Sequence, residues 1–291
     1  MYLRPDELHT GFNFPYLRCP WNATKQRAVI DSTMAANALE NAPTTWVLEN
    51  HDVPRVVTRY APLQQEALGL EDQESQLSAQ IAEHELTDED FKRGRRRARA
   101  GMLLTLALPG SAYIWQGQEL ALNEITDIPD DERQDPVWFR TKGVEKGRDG
   151  CRVPIPWTRD GSSLGFGPDG SKAWLTQPET WRELSVQAQE GDPASMLELT
   201  RKALHIRRRE MALGDGDMAW RDDLGLGDEV LAFERPPIDG SPAVLVIVNT
   251  GQSDVEVPNA GALLVASQPT IERTAANTLV IPSDTTVWLR A

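Results

Sequence analysis

The sequence is poor in cysteine and histidine and has no long apolar run. Its two cysteines, Cys19 and Cys151, are too few for a disulfide framework and suit a reducing compartment. The four histidines, at 9, 51, 84 and 205, have no metal-ligand spacing, and the two cysteines stand apart. No metal and no cofactor is therefore expected. The acidic stretch from Asp127 to Asp131 lacks the EF-hand pattern and reads as a solvated turn. No stretch of 18 apolar residues occurs, so no membrane span is expected. The N-terminal residues have no apolar core of the kind a signal peptide needs, which makes a cytoplasmic location the expectation. Positive charge is the scarcer sign: 30 Lys and Arg stand against 44 Asp and Glu, a net charge of −14. That balance argues against nucleic acid and anionic membranes as partners.

What is present fits one large domain, or one with a small companion, in a chain of 291 residues. The apolar share of 40% and charged share of 25% are those of an ordinary globular protein. Nine tryptophans are many, and flat aromatic faces suit sugars, although most tryptophans fill cores. No internal repeat is seen.

In chain order, residues 11–14 read as a short strand and 25–39 as a helix with apolar positions near helical spacing. Residues 45–48 read as a buried strand. The stretch 62–86 is polar and rich in Gln and Glu, an exposed excursion with some helix. Thr87 with Asp88, Glu89 and Asp90 then predicts a capped helix to about Leu108, stopped by Pro109-Gly110. Its basic run from Lys92 to Arg99 reads as a solvated face on an acidic protein. Residues 111–115 read as a second buried strand. Strand, helix and strand in this order predict βαβ units and a parallel sheet. From 122 to 181 prolines and glycines break every pattern. Trp138, Trp157, Trp174 and Trp181 argue that this long segment is ordered, and ordered long loops are usually functional. A helix returns at 194–209, and short β-rich runs separated by turn residues follow, predicting a small antiparallel sandwich from about residue 211. The expected division is 1–210 and 211–291.

The first buried run, Trp46-Val47-Leu48, halts at Glu49, Asn50, His51 and Asp52, with Pro54 closing the strand. A buried strand that delivers polar side chains at its C-terminal end is how α/β enzymes place catalytic groups.

Four segments together resemble glycoside hydrolase family 13, the α-amylase family, in its α-glucosidase and oligo-1,6-glucosidase branch. Phe12-Asn13-Phe14 resembles the end of the sixth barrel strand. Glu49 to Arg59 resembles the family's region after the seventh strand, and Leu108 to Leu120 the eighth. Gly147-Arg148-Asp149-Gly150-Cys151-Arg152, continuing to Trp157, resembles the loop that follows. The resemblance implies an α/β fold: the C-terminal part of a (β/α)8 TIM barrel, strands six to eight, followed by a small antiparallel β-sandwich domain. It implies that Asp52 is the third catalytic carboxylate, the stabiliser of the oxocarbenium-like transition state. By the same resemblance His51 binds the sugar, and Arg148 helps hold the non-reducing-end glucose. Asn50, Arg59 and Glu119 lie in or beside the matched motifs and are expected to support the pocket. Gln118 stands where many relatives carry Glu, a departure.

The resemblance implies retaining hydrolysis by an Asp nucleophile and a Glu acid/base; retaining chemistry needs its two carboxylates about 5–5.5 Å apart, and neither family motif is found in this sequence. The expectation is therefore the C-terminal portion of an α-glucosidase that removes terminal α-linked glucose from oligosaccharides. Alone it would be inactive and would tend to associate, its partners being a small oligosaccharide or disaccharide and the N-terminal half. A transglucosidase or isomerase of the same family, sucrose- or trehalose-forming, is the second reading. A non-catalytic binding module derived from the family is the third.

Overall fold

The computed structural model describes residues 6, 8–63, 86–214 and 216–290. Most of the polar excursion at 62–86 lies outside them. The chain divides into two compact units: Met1–Leu48, Arg96–Tyr113 and Leu199–Ala291 form one, Glu49–Arg95 and Ile114–Glu198 the other.

In the first unit, residues 11–13 are not a strand. Asn13 accepts from the Tyr16 amide at 3.0 Å and Pro15 sits in the first turn, so the segment opens a short helix, α1, Phe14–Leu17. Side-chain capping and a proline whose missing N–H costs nothing there outweigh the aromatic, strand-like composition. Helix α2, Ala23–Leu39, begins at an Asn22 cap. Strand β1, Thr45–Val47, pairs in parallel with β2, Ser111–Tyr113, with Trp46 opposite Ala112. The expected parallel pair is present. Trp46 is buried, donates from Nε1 to the Pro109 carbonyl at 2.7 Å and meets Tyr16 edge-on at 5.0 Å between ring centroids. Gly110 takes φ +98°, which brings Ser111 N–H onto the Thr44 carbonyl at 2.8 Å; a Cβ there would lie 2.3 Å from that oxygen. The expectation that β2 is buried is corrected. Tyr113 is 47% exposed, and within its two-stranded sheet β2 has a partner along one edge.

Helix α4, Asp88–Ala107, follows a one-turn helix α3, Val56–Arg59. Thr87 Oγ1 accepts from the Asp90 amide at 3.2 Å and Asp90 Oδ2 from the Thr87 amide at 2.9 Å, a reciprocal cap that fixes its start. The solvated-face reading of its basic run holds at Lys92 but fails at Arg97 and Arg99. Arg97 is buried and donates from Nε to Asp284 at 2.8 Å, and Arg99 donates to the Ser267 carbonyl at 2.6 Å. These two side chains meet acceptors of the β-rich tail, whereas Lys92 at the start of the run is exposed. The tail forms a five-stranded antiparallel sheet in the order β3 (Ala219–Trp220), β4 (Val230–Arg235), β5 (Val244–Asn249), β10 (Thr285–Arg290), β7 (Ala262–Ala266). A three-stranded sheet, β6 (Val255–Val257), β9 (Leu279–Ile281), β8 (Glu272–Arg273), shares an apolar cluster with it: Ile247, Val287 and Leu289 meet Val257, Leu279 and Ile281.

The second unit holds the segment whose patterns break down, and it is ordered. Short helices α5 (Pro136–Arg140) and α6 (Val186–Gln189) punctuate it, and Met196 opens α7, which runs to Arg209. A cluster of Leu120, Leu122, Ile125, Val153, Leu175 and Trp181 gives it a core of its own. Apolar burial rather than secondary structure holds this long loop. Among the described residues no helix is long and apolar enough to cross a membrane.

Candidate active site

The polar residues after β1 lie in the second unit, and two arginine-carboxylate clusters are built from them. The first is open to solvent on one side. Asn50, itself buried, accepts the Asp52 amide on its side-chain oxygen at 2.8 Å, an Asx turn that shapes the chain reversal. Asp52 Oδ1 receives Arg148 Nη1 at 2.8 Å and Arg152 Nη2 at 3.2 Å, and His51 Nε2 lies 3.3 Å from Oδ2. The His51 side chain is half-exposed and its ring tilts against Trp115, 5.8 Å between centroids. Arg152 also donates from Nε to the His51 carbonyl at 2.8 Å, so it grips both residues at once.

Arg148 is itself held. Its Nε donates to Asp135 Oδ2 at 2.6 Å and its Nη2 to Oδ1 at 3.3 Å. The Asp135 side chain is fully buried and also accepts from the Val137 and Arg148 amides, at 2.9 and 3.0 Å. Burial by itself would raise this carboxyl, but the Arg148 guanidinium and the two amides outweigh it and hold it at about 2. The Asp135 hydrogen bond in turn raises Arg148 above its ordinary value. Asp135 belongs where it is because it caps α5 ahead of Pro136. Asp149 continues the scaffold, accepting the Gln134 and Asp135 amides on Oδ2 at 2.8 and 3.0 Å.

The second cluster is closed. Arg55 has no exposure and donates to the carbonyls of Gln116 at 2.8 Å and Cys151 at 3.1 Å, while its own amide donates to Glu124 at 2.8 Å. Glu49 accepts the Val56 amide at 2.7 Å and lies 3.9 Å from Arg55 Nη1. Glu119 accepts the Gly117 amide at 2.7 Å, and buried Arg59 donates to the Pro54 carbonyl at 2.8 Å. Burial pushes Glu49 up to about 7 and Glu124 up to about 8, against the opposing pull of Arg55; burial also raises Glu119. Burial and the Glu124 charge raise the Cys151 thiol, which makes it a poor nucleophile.

Raised carboxyls have a stability consequence. The folded state holds protons on Glu49 and Glu124 that the unfolded state releases near pH 4.3, so folding stability declines as pH rises from about 4.5 to about 8 and levels off above. Glu124→Gln removes one of these protons from the balance and the like charge beside Glu49. Urea midpoints at pH 5 and pH 9 should therefore differ less in Glu124→Gln than in the parent; an equal difference would refute the assignment.

Of the residues expected from the sequence, Asn50, His51, Asp52 and Arg148 come together in the open cluster. Arg59 and Glu119 are placed elsewhere, in the buried cluster around Arg55. Arg55, Glu124, Asp135, Asp149 and Arg152 of the clusters are not among the residues expected from the sequence. Arg152 stands four residues after Arg148 in the same quoted motif, and Arg55 lies inside the motif after β1. Asp135 carries one local signal, an Asp-Pro pair at a helix start. Among the described residues no group of three His, Cys, Asp or Glu could hold a metal ion.

Comparison with known proteins agrees with the motifs. A family model, the α-amylase catalytic domain, matches residues 84–216. A probable α-glucosidase of Rhizobium meliloti is 31% identical over 236 residues, 79% of this chain and 35% of that protein. The α-glucosidase MAL32 of Saccharomyces cerevisiae is 24% identical over 284 residues, 89% of this chain and 43% of that one. Among solved structures, the α-glucosyl transfer enzyme XgtA matches 99% of this chain and 48% of its own with a TM-score of 0.71 and 27% identity. The trehalulose synthase MutB from Pseudomonas mesoacidophila, 21% identical with a TM-score of 0.70, shares the fold over 98% of this chain and 51% of its own. The chain thus spans about half the length, or less, of the relatives it matches. It belongs to the α-amylase family, glycoside hydrolase family 13, in the α-glucosidase branch, as a partial chain relative to those enzymes.

Proposed function

We propose that this chain supplies the sugar-holding and transition-state-stabilising part of an α-glucosidase-type site. In this reading residues 1–210 are the C-terminal part of a (β/α)8 barrel and 211–291 an antiparallel β-sandwich domain. The observation that carries it is the Asp52 carboxylate, oriented by Arg148 and flanked by a half-exposed His51. A carboxylate held in place before the reaction stabilises positive charge developing on a sugar ring without having to reorganise. His51 and the remaining N–H groups of Arg148 bind ring hydroxyls, and those hydrogen bonds strengthen as the ring flattens. Asn50 shapes the turn that carries them. Arg59 and Glu119 support the pocket at a distance, through the Arg55 cluster.

The nucleophile and acid/base of retaining hydrolysis are assigned here to polypeptide outside these 291 residues. The catalytically complete enzyme is then this chain together with the polypeptide that carries those two carboxylates. The test is direct: the purified chain should release no nitrophenol from an aryl α-glucoside, and should do so when combined with a segment carrying both carboxylates. Turnover by the chain alone, lost in Asp52→Asn, would overturn the reading. Glucosyl transfer in place of hydrolysis is the second reading, favoured by the likeness to XgtA. Products formed by the complete enzyme from maltose and from sucrose separate the two: glucose for hydrolysis, new disaccharides for transfer.

A further inference from the structure

We propose that Asp135 is a positioning residue for this site: buried out of reach of any sugar, it aims the Arg148 guanidinium so that one corner meets Asp52. The geometry of the arginine fork carries this. An arginine has five N–H donors in a rigid plane. Asp135 takes Nε and one N–H of Nη2, so the guanidinium is fixed along one edge. Rotation about the last side-chain bond would break both bonds, and the opposite corner, Nη1, is left to donate to Asp52 at 2.8 Å. One N–H on each terminal nitrogen remains for other acceptors, such as sugar hydroxyls.

Asp135 is itself held by several bonds. Its side chain is fully buried, its oxygens also accept the Val137 and Arg148 amides, and its own amide donates to Asp149 at 3.0 Å. The relay therefore runs from a helix cap through one guanidinium to the carboxylate assigned to the transition state. Arg152 touches the same two carboxylates more loosely, at 3.2 Å from Asp52 and 3.9 Å from Asp135, so it backs the arrangement without setting it. A lysine in place of Arg148 could not reproduce it, because a single ammonium lacks the planar fork. The significance for sugar binding rests on the proposed function; the positioning itself does not.

The experiment compares Asp135→Asn with Arg148→Lys in the isotope-labelled 291-residue chain by NMR. The Arg148 Nε–H signal, assigned by its loss in Arg148→Lys, should exchange with water roughly tenfold faster in Asp135→Asn, since a charge-assisted bond is replaced by a weaker one. Unchanged exchange overturns the proposal. The Asp52 carboxyl carbon signal should move in both variants; movement in Arg148→Lys alone also overturns it. If Asp135→Asn fails to fold by circular dichroism, Asp135→Glu, which keeps the charge and displaces it by one methylene, should give the same faster exchange. These readouts need no turnover, so they fail or succeed separately from the functional reading. In the catalytically complete enzyme, assayed well below each variant's Tm, Asp135→Asn should lower kcat/KM by about 10- to 100-fold, as small misplacements of catalytic groups do. The double variant Asp135→Asn with Arg148→Lys should be no worse than the worse single one, because the two residues act as a unit. Additive losses would refute that.

Discussion

Asp52→Asn in the catalytically complete enzyme is expected to lower kcat for an aryl α-glucoside by about 10²- to 10³-fold, some 2.7–4 kcal/mol of transition-state stabilisation. The substitution keeps the volume of the side chain and an oxygen that can still accept from Arg148 Nη1. What it removes is the negative charge that faces the developing cation. Because that charge matters more in the transition state than in the ground state, KM should change far less than kcat. The fold should tolerate it: the Asn50 side chain shapes this turn by holding the Asp52 backbone amide, which the substitution leaves in place. Steady-state kinetics with a thermal melt alongside checks both halves. A fall in kcat of less than about tenfold would remove Asp52 from the role of transition-state carboxylate.

The second large effect concerns stability. Arg55→Met is expected to cost about 3–5 kcal/mol, because one partner of a buried charge cluster is deleted while its carboxylates remain. The Arg55 guanidinium lies 3.9 Å from Glu49, its charge also acts on Glu124, and it satisfies the carbonyls of Gln116 and Cys151. Methionine fills much of the space but offers no donor, so the carbonyls of Gln116 and Cys151 lose a partner each. Glu49 and Glu124, already raised to about 7 and about 8, would rise further with this counter-charge gone. In a melt the loss corresponds to a Tm lower by about 10 °C for a chain of this size. Adding Glu124→Gln should recover part of it, since the neutral amide, unlike the raised carboxyl, takes up no proton on folding. A Tm within about 2 °C of the parent would show that the cluster contributes little.

Much of the element map was legible in the residues. The Thr87-Asp90 pair caps the helix it announces, and Pro109-Gly110 ends it where it says it does. These are local signals, settled within a few residues of chain. The misreadings have physical causes of the same scale. Phe12-Asn13-Phe14 looks extended by composition, yet Asn13 can reach the Tyr16 amide, and a satisfied cap decides the matter. Ser111 to Tyr113 looks buried by hydropathy, but burial depends on what lies against it, which hydropathy does not report. The basic run of α4 looks solvated by charge, yet Arg97 finds Asp284 far along the chain.

For the site, the sequence by itself determined the family, the pairing of His51 with Asp52 as neighbours, and Arg148 as a candidate sugar ligand. It did so because the motifs are contiguous and carry their chemistry with them. Only the tertiary structure decided which carboxylate holds Arg148, that Arg152 shares Asp52, and that Arg59 and Glu119 belong to a buried cluster around Arg55. Long charged side chains find partners by proximity in space, and desolvation, not spacing along the chain, sets what each pairing does. Asp135 shows the difference most clearly. Its sequence announces a helix cap, and the fold turns that cap into the anchor of a candidate catalytic arginine.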